Sequence, residues 1–100
     1  MVAELAVEKH QGRLPPQDLD AERSVLGAML LEEGAVAESL GSLKSEDFYR
    51  PTHARIFEAM EALYARGEPI DEITVASELG ARALLESVGG VTYLASLTES

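Results

Sequence analysis

There is no cysteine in these 100 residues, so the chain has no disulfide framework and no thiolate metal site or nucleophile. Tryptophan is missing too, and aromatic residues make up only 5% of the chain. A core must therefore come from Leu, Val, Ile, Ala and Met, which suits helix packing. The hydrophobic fraction of 46% is enough for one real core, and the length fits one domain rather than two. Positive charge is also scarce, with 8 Lys and Arg against 18 Asp and Glu, for a formal net charge of −10. So acidic a chain repels phosphate backbones. Arg23, Lys44, Arg50, Arg55, Arg66 and Arg82 are scattered, and the one local basic pair, Arg50 and Arg55, has Glu46, Asp47 and Glu58 around it. Autonomous nucleic-acid binding is not expected. No run approaches the roughly 20 apolar residues of a membrane span. The opening MVAELAVEKH has no basic region followed by an apolar stretch, so no targeting signal is read and a cytoplasmic, membrane-free location is expected.

The pattern along the chain is helical. Residues 1–17 read as a flexible tail, because apolar residues are sparse and Gly12 and Leu14-Pro15-Pro16 break any helix. Residues 18–100 read as one helical domain. A first helix starts after Asp18 or Asp20, either of which can cap it, and carries Leu19, Val25, Leu26, Met29 and Leu30 on one stripe before closing at Glu32-Glu33-Gly34. Ala35 to Leu43 repeats the spacing briefly with Val36, Leu40 and Leu43. Pro51 pushes Arg50 out of helical geometry and suits the first helical position itself. From there Ile56, Phe57, Met60, Leu63 and Tyr64 share a face of the central helix, which stops at Arg66-Gly67. Asp71 caps a helix through Leu79, halted by Gly80; a short one holds Leu84, Leu85 and Val88, halted by Gly89-Gly90; a last one runs from about Val91 through Tyr93, Leu94 and Leu97. The fold expected is all-α, a compact orthogonal bundle of about five to six helices, with Leu26 and Phe57 buried.

No constellation for chemistry stands out, and no catalytic, cofactor-binding or metal-binding residues are assigned. Nucleotide hydrolysis needs a glycine-rich loop ending in Gly-Lys-Ser/Thr, whereas Lys44-Ser45 follows Leu43. His10 lies in the tail and His53 near the start of the central helix, and neither has a second His or a carboxylate at i+4. Asp18, Asp20 and Glu22 imitate the opening of a calcium loop, but its glycine would fall on Arg23 and its closing Glu on Met29, so they read as helix-start residues. Glu58 and Glu61, at i and i+3, could do acid–base work only in a cleft, and they read as a solvated face. The run TVASELGARALLESVGG has the cadence of a helix-turn-helix, the alternative reading as a small DNA-binding module. Its second helix would offer only Arg82 to base edges, so the cadence reads as ordinary helix packing.

Several stretches in order carry a resemblance: PPQDLDAERSVLGAMLLEEG, SEDFYRPTHARIFEAMEALYARGEPID, DEITVASEL and SVGGVTYLASLTES. From Pro15 to Ser100 the chain resembles the N-terminal domain of bacterial replicative DNA helicases of the DnaB type. The combination is what is specific: Pro15-Pro16 then Glu22 and Val25-Leu26-Gly27; Asp47-Phe48-Tyr49; His53 with Ile56-Phe57; Gly67 and Pro69-Ile70-Asp71; Val88-Gly89-Gly90 with Tyr93-Leu94. Arg23 stands where relatives often carry Gln, and Gly80 to Leu85 is slightly shortened. The matching residues read as structural. Phe48 and Tyr49 would anchor the central helix, His53 would be packed or capping, Gly27 would admit a neighbouring helix, and Gly89-Gly90 would turn the chain. The resemblance implies a non-enzymatic collar domain of a hexameric helicase that helps dock the primase during DNA replication. Its expected partners are the primase C-terminal domain and further helicase copies, with this stretch alone a monomer or weak dimer. ATP and Mg would belong to a linker-joined ATPase domain outside this chain, with no cofactor in these residues.

Overall fold

The computed structural model describes Leu14 and residues 17–99; the expected tail over residues 1–17 falls mostly outside them, with His10 and Gly12. Leu14 is half-buried and packs against the core. Five α-helices and one 3₁₀ turn make up the described residues: α1 (Leu19–Leu31), α2 (Glu33–Ser42), the turn (Ser45–Asp47), α3 (Pro51–Ala65), α4 (Glu72–Ala81) and α5 (Gly90–Leu97). The fold is all-α, as the spacing of apolar residues implies.

The helix starts follow local chemistry. Asp18 caps α1, its Oδ1 accepting the Ala21 N–H at 3.0 Å. At α4 the exchange is reciprocal: Asp71 Oδ1 accepts from Thr74 N at 2.8 Å while Thr74 Oγ1 accepts from Asp71 N at 2.9 Å. Within that helix Ile73 is 80% exposed and Val75 is buried, a helical and not a strand-like alternation. A single extended residue, Glu32, separates α1 from α2. Glu33 and Gly34, expected to close α1, instead open α2.

α3 is central. Its buried face comprises His53, Ala54, Ile56, Phe57, Ala59, Met60 and Leu63. Phe48 anchors its entry, with its ring 5.0 Å from that of Phe57. Tyr49 does not: it is 59% exposed, because the chain entering α3 turns successive side chains to opposite sides. Tyr64, expected on the core face, is 51% exposed. The buried stripe runs through residues 56, 57, 60 and 63, and position 64 falls beyond its edge. Gly67, at φ +72°, ends the helix, and Glu68 N donates to the Leu63 carbonyl at 2.9 Å.

One expected helix is absent. Residues 84–88 form turns, with one helical-type bond from Val88 N to Leu84 O at 3.2 Å. α4 runs past Gly80 to Ala81 and is stopped by Ala83 in the left-handed region at φ +60°. Gly89 and Gly90 sit at φ +111° and +71° on the other side. The residues between are too few to nucleate a helix, and packing of Leu84, Leu85 and Val88 holds them instead. A helix-turn-helix therefore lacks its second helix here.

The core gathers around α3, with Leu26, Phe57, Met60, Val75, Leu79 and Leu94 fully buried. Gly27 meets the end of α5 directly: a Cβ on it would lie 2.2 Å from the Leu97 carbonyl oxygen. The close approach expected of this glycine is thus a backbone-to-backbone contact between α1 and α5.

Candidate functional site

Among the described residues the buried polar side chains are Glu22, Ser39 and His53, and two of them join in one network. Glu22 lies in the first turn of α1 yet has no exposed surface. Its position explains why: residues 22, 25, 26 and 29 share one helical face, so the carboxylate is in line with the apolar stripe. His53 sits likewise in line with Ile56, Phe57 and Met60 on α3. Packing α1 against α3 brings the two together.

The Glu22 carboxylate accepts the Tyr49 N–H at 2.5 Å and the Arg50 N–H at 3.4 Å. It also accepts from His53 Nδ1 at 2.7 Å. A carboxylate can only accept, so Nδ1 carries the proton and Nε2 is the acceptor for the Tyr93 hydroxyl at 2.6 Å. α3 has no side-chain cap of its own, since Arg50 stands at the capping position. Glu22 supplies that carboxylate from another helix, at the end where the helix dipole favours negative charge. Burial holds the His53 imidazole below its ordinary value, opposed by the Glu22 bond and charge and reinforced by Arg50 and Arg23. The neutral ring follows.

What this chain of bonds can do is limited by where it ends. Both ring nitrogens are occupied and neither His53 nor Glu22 reaches the surface. Only half-buried Tyr93 borders a surface depression, with Asp20, Arg23, Ser24, Ser96, Leu97 and Glu99. General acid–base work needs a side chain within hydrogen-bond reach of a substrate proton. His53 has no such access, and its effect is to tie α1, α3 and α5 together.

The other sequence candidates are spread over the surface. Asp18 caps α1, while Asp20 is exposed and pairs with Arg23 at 2.8 Å. The three acids of the imitation calcium loop thus take three separate roles. Glu58 is half-buried and receives two bonds from Arg55 at 2.9 Å, which occupies half of the basic pair. Glu61 is exposed; partial burial and the nearby Glu58 raise its carboxyl above the ordinary value. Among the described residues no group of three or more His, Cys, Asp or Glu converges as a metal site would. No helix among them is long and apolar enough to cross a membrane. Spacing alone did not single out Glu22 or Tyr93. The signal for Glu22 was available, as an acidic residue in register with an apolar stripe.

Comparison with known proteins supports the assignment suggested by the motifs. Residues 14–100 match the family model described as the DnaB-like helicase N terminal domain. The replicative DNA helicase DnaB of Mycobacterium leprae is 56% identical over 86 residues, covering 86% of this chain and 14% of that protein. Its namesake in Geobacillus stearothermophilus is 47% identical over 88 residues, covering 88% of this chain and 19% of that protein. The crystal structure of the N-terminal domain of DnaB helicase from Mycobacterium tuberculosis matches with a TM-score of 0.82 at 53% identity, covering 85% of this chain and 59% of that one. This chain spans under a fifth of either full helicase. With five helices, a buried Glu–His pair and a match from Leu14 to the last residue, the chain belongs to the family of DnaB-like helicase N-terminal domains.

Proposed function

We propose that residues 18–100 act as the collar domain of a hexameric replicative DNA helicase, pairing with further copies and helping dock the primase C-terminal domain, with residues 1–17 as a tail. The observation that carries this reading is the family match over residues 14–100 to a domain that is the N-terminal part of replicative helicases. The internal chemistry supports it: the buried polar groups bind one another, which leaves the outer surface as the place where the domain acts. In this reading the domain performs no catalysis, and ATP and Mg belong to a separate ATPase domain. The net charge of −10 favours protein partners over DNA.

The test is titration of this chain with the C-terminal domain of the primase from the same organism, followed by calorimetry. Saturable binding of one domain by the other supports the proposal. No binding at micromolar concentration, either by this chain or by the hexameric helicase containing it, would overturn it. A salt-sensitive complex with single-stranded or duplex DNA would point instead to the DNA-binding alternative.

A further inference from the structure

On one flank of the domain Leu40 and Ile70, which pack partly on the core, border exposed Ala37, Tyr64 and Pro69. Ala37, Leu40 and Gly41 of α2 face Tyr64 of α3 across an open seam, closed at one end by Pro69 and Ile70. Two depressions share Ala37 and Tyr64, so the seam continues past the tyrosine on both sides. α2 packs chiefly on α1, and α3 packs on α1 and α4, but α2 and α3 do not form a well-packed pair. Tyr64 is 51% exposed here although it adjoins the core stripe of its helix. Ala37 and Gly41, one helical turn apart, keep the α2 wall low.

The charge around the seam has one sign. Glu33, Glu61 and Glu68 line it, and no Lys, Arg or His does. Glu68 is neutralised by Arg66 at 3.0 Å. Glu33 and Glu61 make no ion pair among the described residues. Partial burial and the nearby Glu58 raise the Glu61 carboxyl above its ordinary value, so a cation beside it would be favoured.

We propose that the seam between α2 and α3 is a docking groove for a basic amphipathic helix of a partner protein, laid with its apolar face over Tyr64 and its Lys or Arg residues beside Glu33 and Glu61. Helix-in-groove recognition pairs apolar anchors with polar edges, and the seam sets Tyr64, Ala37 and Leu40 between Glu33 and Glu61. The local charge selects a cationic occupant: Glu33 and Glu61 line the seam without a paired cation among the described residues, and nucleic acid and anionic lipid are repelled. The inference takes from the proposed function only that the domain docks proteins, and it does not require that the primase be the partner.

The test is an NMR titration of the isotope-labelled chain with a synthetic Leu/Lys helical peptide whose leucines recur at i, i+3, i+4 and i+7. Controls are a peptide of the same composition in shuffled order and a Leu/Glu peptide with the same pattern. Saturable shifts confined to residues 33–41 and 61–70, weakened about tenfold by Tyr64→Ser and by Glu61→Lys, are expected, as for truncation of a central anchor. Asp20→Lys, outside the seam, should leave affinity within about twofold by the same measure. Both seam residues are exposed, so folding should survive; if Tyr64→Ser fails to fold, Glu61→Lys still decides. Shifts spread over other faces, equal binding of the shuffled peptide, or equal weakening by Asp20→Lys would overturn the proposal. Seam binding without primase binding would sink the proposed function alone, and primase binding without seam binding would sink this inference alone.

Discussion

Replacing Glu22 by Ala tests the central packing argument. The substitution removes the acceptor for Tyr49 N, His53 Nδ1 and, more weakly, Arg50 N. A hydrogen bond to a charged acceptor contributes about 1.5–3 kcal/mol, and a buried donor left without a partner costs about 1–3 kcal/mol. The two short bonds therefore set a loss of about 3–5 kcal/mol, in the range for breaking a buried network. Tyr49 and Arg50 are exposed residues, so water can reach their N–H groups in part, and the lower half of that range is expected. Glu22→Gln keeps the shape but turns an NH₂ toward donors, so about 2–3 kcal/mol should be lost. Tyr93→Phe removes only the outer link, for about 1 kcal/mol. Urea unfolding read by circular dichroism gives all three values, and a domain of this size has only about 5–15 kcal/mol in total. A Glu22→Ala protein within 1 kcal/mol of the parent would refute the claim that this carboxylate holds α3 to α1.

Three further outcomes are expected. Because burial lowers the His53 value, the unfolded chain takes up a proton that the folded one resists; stability is full above about pH 6.5 and falls as pH drops toward the folded value. Urea midpoints between pH 7.5 and 5.5 should therefore decline more steeply for the parent than for a folded His53→Gln variant, and parallel slopes would contradict the assignment. Gly27→Ala should destabilise by about 1–2 kcal/mol, since moving the Leu97 carbonyl out to contact distance outweighs the helix-propensity gain of about 1 kcal/mol; thermal melts decide it, and a raised melting temperature would mean that α5 is not that close. Ala83→Gly should stabilise by about 0.5–1 kcal/mol by relieving its left-handed backbone, readable in the same melts.

Much of the fold was legible because its signals are local. Asp18, Pro51, Asp71 and Gly89-Gly90 mark turns and helix ends through bonds or dihedral limits within a few residues. The helix expected over residues 84–88 failed for a reason no period shows. Ala83 adopts a glycine-like φ, so α4 ended later and the remaining stretch was too short. Tyr64 was misplaced because a stripe's edge depends on which helices lie against it. Glu22 passed for a helix-start acid because the groups it binds lie 27 to 31 residues further on. His53 as a packed residue was read correctly, but the residues it would meet were not. The seam along α2 was invisible for the same reason: it exists only where two helices fail to pack.

The link from Glu22 to His53 to Tyr93 also orders events in time. Glu22 and His53 are 31 residues apart, and Tyr93 lies a further 40 along the chain. During synthesis α1 and α3 leave the ribosome well before Tyr93, so the carboxylate and the imidazole can pair while the ring's second nitrogen is still hydrated. The last helix then brings the Tyr93 hydroxyl to that nitrogen and the Leu97 carbonyl against Gly27. Closing the 40 residues from 53 to 93 costs little more than closing the 31 from 22 to 53, since the penalty grows slowly with loop length. The domain is thus closed from its C-terminal end, because Leu94 and Leu97 fill the core only when α5 is in place, and a chain cut short before α5 is left with an open core.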